Sequence, residues 1–163
     1  LDTDQEQHSR GVPSETFERA VSALASLGER HLSDGMSVSL EANSGACCVG
    51  LRGRRARIPL LDALAGAQLE PVRLATALQR LYPKPRRSTH HVVVSPHLDP
   101  AAMRWLRLMA DRGTSLLVVV VVTEDTEPAM LHRAGTIGCN LVELTGSGAL
   151  DLQLRRVVAG GRR

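Results

Sequence analysis

The run Leu116-Leu117-Val118-Val119-Val120-Val121-Val122 constrains this chain more than any other stretch. It has no polar face, so both of its sides must be covered. It is too short for a membrane span, which needs ~20 apolar residues. A short aliphatic run without alternation is the mark of a buried strand in a parallel sheet. Parallel neighbours need crossover connections, usually helices, so helices are expected on both faces.

The rest of the chain fits that frame. Strand His91 to Ser95 precedes a helix from Pro100 to Asp111, capped by Asp99. Strand Ser115 to Val122 precedes an acidic loop and a helix from Pro128 to Ala134. Strand Asn140 to Leu144 precedes a last helix from Ser147 to Val158, and the tail from Gly160 is expected to fray. Upstream, Phe17, Ala20, Val21, Leu24 and Leu27 recur at three and four, the stripe of a helix packed on a sheet. Ser14 is a suitable N-cap for it, and Gly35 a suitable stop. Met36, Val38 and Leu40 alternate with polar residues, Asn43-Ser44-Gly45 is a turn, and Ala46 to Leu51 returns as an antiparallel edge hairpin. Pro59 and Pro71 are expected to open two further helices, the second carrying Val72, Leu74, Ala75, Leu78 and Leu81 inward until Pro83 and Pro85 end it.

The first thirteen residues read as a loop, with one reservation. A doubly wound sheet wants a central strand before its first helix, and Leu1-Asp2-Thr3 resembles the end of such a strand. The chain opens on Leu1, so a cut or processed N-terminus is expected, with the body of that strand upstream.

Composition narrows the function classes. With 163 residues the chain suits one domain and one core. Aromatic residues make up 2%, which leaves almost nothing to stack on bases or sugars. The net charge of +3 is carried by arginine, since Lys84 is the only lysine; this fits GC-rich coding better than a nucleic-acid surface. Cys47 and Cys48 are adjacent and Cys139 stands alone, so neither a disulfide framework nor a structural zinc site is indicated, and a reducing cytoplasm suits the count.

In open α/β sheets ligands bind beyond the carboxyl ends of the strands. That rule selects Asp2 to Glu6, Ser95 to Asp99, and Thr123 to Glu127. Their carboxylates and hydroxyls could hold a hard cation such as magnesium; the plainer interpretation is a solvated acidic rim with helix caps. His90 and His91 alternate along a strand and cannot share a ligand, His97 stands near Asp99 as a surface residue beside a cap, and His8, His31 and His132 have no nameable partner. Ser95 lacks the flanking glycines of a nucleophile elbow. Gly146-Ser147-Gly148 offers a weak anion site before the last helix. The run Arg52, Arg54, Arg55, Arg57 has no interleaved aromatics; it is expected to protect an edge hairpin, with phosphate or lipid contact as the alternative.

Phe17 to Leu27 resembles the first helix of the MoxR-associated family called domain of unknown function 58, with its "VS-x-A-AS" pattern. Leu60 to Ala65 resembles that family's "LLD-x-LA" helix, and Val94-Ser95-Pro96 its "ISD" strand. The likeness covers nearly the whole chain. It implies a three-layer, Rossmann-like, mostly parallel sheet of von Willebrand factor A type, as a single domain over residues 1–163 of a longer bacterial protein. Where that fold is active it holds magnesium at an Asp-x-Ser-x-Ser loop, a later Thr and an Asp. Here Asp2 matches, Asp4 and Glu6 stand where the serines would be, and Pro96 stands where the later Asp would be. The degenerate candidates are therefore Asp2, Asp4 and Ser95, and no metal, cofactor or catalysis is expected. The resemblance implies a partner, an AAA+ ATPase of MoxR type; from composition and the lack of a long apolar run, no nucleic acid and no membrane insertion by this segment are expected. It also implies a cytoplasmic position, with the parent tethered to the inner face of the membrane. The alternatives are a metal-dependent hydrolase using the acidic loops and an anion- or nucleotide-binding regulator using Gly146 to Gly148.

Overall fold

In the computed structural model, which describes residues 1–8, 13–82 and 89–145, the elements alternate as an α/β chain. They run α1 (Gln5–His8), α2 (Pro13–Ser33), β1 (Ser37–Glu41), β2 (Ala46–Arg52), a 3-10 turn (Arg54–Ala56), α3 (Arg57–Ala65) and α4 (Leu74–Leu81). Then come β3 (His90–Ser95), α5 (Pro100–Asp111), β4 (Ser115–Val121), α6 (Pro128–Gly135) and β5 (Asn140–Leu144). The Ser14 side chain, Pro83, Pro85, Gly146 to Gly148 and the expected last helix lie outside the described residues.

The aliphatic run occupies the centre of a parallel sheet ordered β3-β4-β5. Its register runs from His90 opposite Ser115 to Ser95 opposite Val120, and from Leu117 opposite Asn140 to Val121 opposite Leu144. Every residue from Leu116 to Val121 is buried. Alternation then sorts them into two cores. Leu117, Val119 and Val121 pack under α2 and α3 with Ala20, Leu27, Leu60 and Leu64. Leu116, Val118 and Val120 pack under α4, α5 and α6 with Leu78, Leu106 and Met130. Helices thus cover both faces, which is why the run needs no polar positions. Burial of each such side chain contributes ~1.5–3 kcal/mol.

Local signals behave as read in most places. Asp99 accepts from Ala102 N at 2.6 Å and Pro100 opens α5. Gly35, at φ 77°, takes the left-handed turn that lets Met36 N reach His31 O at 2.9 Å and closes α2.

Three expectations need correction. The hairpin β1-β2 is antiparallel, but it forms a separate two-stranded sheet and not a continuous edge. The first residues are not a loop. Leu1 N donates to Glu41 O, Asp2 N donates to Val94 O, and Asp4 pairs in parallel with Glu70 before Gln5 begins α1. Leu1 to Asp4 thus lies between hairpin and parallel sheet, where a central strand would be. Finally, α4 begins at Leu74 and not at Pro71, because Glu70 is drawn into pairing with Asp4 and Arg73 remains extended at ψ 143°. Ala77, not Ala75, is among its buried residues.

Candidate functional site

The segment Leu1–Asp4 runs alongside β3, so its polar side chains arrive at the carboxyl end of the sheet. Asp2, Thr3, Asp4, His8, Thr16, Asn43 and Ser95 are the buried polar residues among those described. All of them lie at or near this junction.

Asp2 is its hub. Its Oδ1 accepts from Asp4 N at 3.0 Å and from Asn43 Nδ2 at 2.6 Å, and its Oδ2 lies 2.6 Å from Ser95 Oγ. Burial pushes the Asp2 carboxyl above its ordinary range, against the pull of the Ser95, Asp4 and Asn43 hydrogen bonds and of His8. Ser95 Oγ also lies 2.5 Å from His97 O and accepts from His97 N at 3.2 Å. Asn43 comes from the hairpin turn. Its backbone N donates to Thr3 Oγ1 at 3.1 Å, and its Nδ2 also donates to Val72 O at 2.7 Å. Arg80 Nη2 fixes that turn by donating to Asn43 O at 2.6 Å.

His8, for which the sequence offered no partner, has two. Its Nε2 lies 3.1 Å from Asp2 O, a carbonyl that only accepts, so the proton sits on Nε2. Its Nδ1 faces Thr16 Oγ1 at 3.0 Å. Burial lowers its pKa, although the Asp2 carbonyl and the charges of Asp2 and Asp4 pull the other way, and the neutral ring results. The ring stands edge-on to Phe17 at 5.4 Å. His31 and His90 stack at 6.4 Å, and His90 Nδ1 meets Ser115 Oγ at 2.6 Å at the starts of β3 and β4, the opposite strand ends from this cluster.

The second and third loops chosen by the strand-end rule meet in one crevice, and the first reaches the second through the contact of Asp2 with Ser95. Gln7, Pro96, His97, Thr123, Asp125 and Thr126, with Thr16, line one narrow crevice with room for little more than a water-sized group. Thr126 Oγ1 accepts from Thr123 N at 2.8 Å, which holds the third loop in a turn. Glu124 and Glu127 remain on the exposed rim. Arg19, which the sequence did not single out, crosses from α2 to the ends of β4 and β5, donating to Val122 O at 3.2 Å and to Leu144 O at 2.6 Å.

The arrangement has an excess of acceptors. Asp4 Oδ2, Gln7 Oε1, Asn43 Oδ1 and Glu70 Oε2 are buried with no hydrogen-bond donor among the described residues, against one unpartnered buried donor, Arg19 Nε. Of the three degenerate candidates, Asp2 meets Ser95 through its side chain and Asp4 through the Asp4 backbone N, while Asp4 turns its own Oδ1 to cap Glu6 N at 3.0 Å. No group of three or more His, Cys, Asp or Glu that could hold a metal ion occurs among the described residues. Thr16 and Arg19 carried no sequence signal and Asn43 signalled only a turn, because their partners in the cluster lie on other elements. The chain matches no family model, and no curated protein matches it.

Proposed function

We propose that this chain is a non-catalytic protein-interaction module of von Willebrand factor A type, working with an AAA+ ATPase of MoxR type. The observation that carries the reading is that Ser95 and His8, the cluster's candidate reactive groups, are engaged with neighbouring side chains and with backbone. The Ser95 hydroxyl is buried and engaged with the Asp2 carboxyl and the His97 carbonyl. His8 spends Nε2 on a carbonyl and faces Thr16 with Nδ1. Side chains engaged in this way position backbone; they are not poised to transfer protons to a bound molecule. What remains open to a partner is the acidic rim of the crevice, where Glu124, Asp125 and Glu127 stand exposed on the loop that Thr123 and Thr126 hold in a turn. The ATPase partner and the cytoplasmic, membrane-tethered setting rest on the motif resemblance. The test is titration calorimetry of the chain against a purified MoxR-type ATPase. Saturable binding that Asp125→Lys with Glu127→Lys weakens at least tenfold is expected, and no binding would refute the reading.

A second reading has an observation behind it. The donor-free oxygens of Asp4 and Asn43 are what a hard oxygen-preferring cation such as magnesium would satisfy, and a cation there would favour the hydrolase alternative. Pro96, buried at the end of β3, supplies no carboxylate to such a site. For that reason we rank it second.

A further inference from the structure

We propose that the end of the hairpin opposite the crevice docks on an anionic lipid surface. This inference is independent of the ATPase reading. From Ala42 to Leu61 the chain has no acidic residue, and it carries Arg52, Arg54, Arg55 and Arg57. Arg57 pairs with Glu29 at 2.7 Å, while Arg52, Arg54 and Arg55 stand exposed with no ion pair among the described residues. The nearby acid Asp34 is likewise engaged, by Arg30 at 3.0 Å. Asp62 lies one turn further along α3. The corner therefore presents uncompensated positive charge.

The apolar residues are as telling as the charges. Three large hydrophobics are exposed among the described residues, Val49 at 74%, Ile58 at 68% and Met36 at 51%, and all three border this arginine run. Ser37 pairs with Arg52, which sets Met36 beside Gly53. Ile58 stands in the first turn of α3, directly after the 3-10 turn of Arg54 to Ala56. Val49 sits in a bulge opposite Ser39. Cys48 and Leu51 on either side of that bulge pack toward the core, so Val49 and Arg52 share the solvent face.

Exposed aliphatic side chains beside free arginines match a membrane surface, where guanidinium groups meet lipid phosphates and aliphatic tips enter the headgroup layer. A nucleic acid would make no use of Val49 and Ile58, and the corner has no aromatic residue on which bases could stack. The contact is peripheral and electrostatic, and it needs no spanning helix; none of the described helices is long and apolar enough to be one.

The test is flotation of the chain with vesicles of phosphatidylcholine alone, and of about three parts phosphatidylcholine to one part phosphatidylserine, at low and high salt. Binding to the anionic vesicles only is expected, weakening as salt rises. Each of Arg52→Ala, Arg54→Ala and Arg55→Ala should lower partitioning about fivefold, and all three together on the order of a hundredfold. Val49→Ser with Ile58→Ser should lower it several-fold at unchanged charge. These positions are exposed, so thermal midpoints close to the parent confirm that the variants fold. No flotation at millimolar anionic lipid, or equal flotation with neutral vesicles, overturns the proposal. So does equal affinity for duplex DNA with no effect of the serine pair, which would mark an unspecific polyanion surface.

Discussion

The proton count at Ser95 makes a sharp prediction about Asp2. One hydroxyl proton faces two acceptors, Asp2 Oδ2 at 2.6 Å and His97 O at 2.5 Å. A proton on the buried Asp2 carboxyl resolves the count: the carboxyl donates to Ser95 Oγ, which donates to His97 O. Asparagine reproduces that pattern, its Oδ1 accepting from Asp4 N and Asn43 and its Nδ2 donating to Ser95. Asp2→Asn should therefore cost less than ~1 kcal/mol. Asp2→Ala removes all three contacts. Asn43 keeps Val72 O and Ser95 keeps His97 O, but Asp4 N is left buried without an acceptor. An orphaned donor costs ~1–3 kcal/mol and each of the other two lost bonds ~1 kcal/mol, about 3–5 kcal/mol in all. In a domain of this size that lowers the thermal midpoint by about 6–20 °C, against less than ~4 °C for asparagine. Differential scanning calorimetry of the two variants decides it. Equal losses would show that the ionised carboxylate is required and that the proton count is wrong.

Further outcomes follow from the same structure. Because burial holds the His8 pKa below its ordinary 6.5, the neutral ring contributes stability that is present above pH 6.5 and lost as pH falls through the folded value; urea titrations across that range should show this acid limb, and His8→Gln should flatten it. Asp2 acts with the opposite sign: its raised pKa gives stability that is full below its ordinary 3.8 and lost as pH rises through the folded value, and Asp2→Asn should abolish that loss. Leu106→Ala, at a fully buried position between α5 and the sheet, should cost ~2–5 kcal/mol by chemical denaturation. Titration with magnesium should show no saturable sub-millimolar binding; such binding, lost in Asp4→Ala, would promote the cation reading over ours.

The parts of this fold that could be read in the sequence are those fixed by neighbours in the chain. The aliphatic run announced β4, Asp99-Pro100 announced the start of α5, and Asp34-Gly35 announced the end of α2, since each signal acts within one or two turns. The strand-end rule likewise selected two of the loops that line the crevice, but not Gln7 of α1 or Thr16 of α2. What escaped depends on distance along the chain. Asn43 meets Asp2 across 41 positions and Ser95 meets it across 93, so no local pattern could foretell either bond. Pro71 misled for the same reason: a helix start was reasonable locally, but pairing of Glu70 with Asp4 holds the chain extended there. His8 looked unpartnered because Thr16 reaches it only once α1 folds back on α2.

The seam at residues 1–4 has a kinetic consequence. Among the described residues hairpin and parallel sheet share no direct ladder, and the segment Leu1–Asp4 links their backbones, joined to Glu41 on one side and Val94 on the other. Closing it brings together residues more than ninety positions apart, a slow event compared with forming the hairpin or the β3-β4 unit. The two sheets should then open as separate cooperative units. In hydrogen exchange, amides of β1 and β2 would trade with solvent through a lower-energy opening than those of β4, which exchange only when the whole domain unfolds.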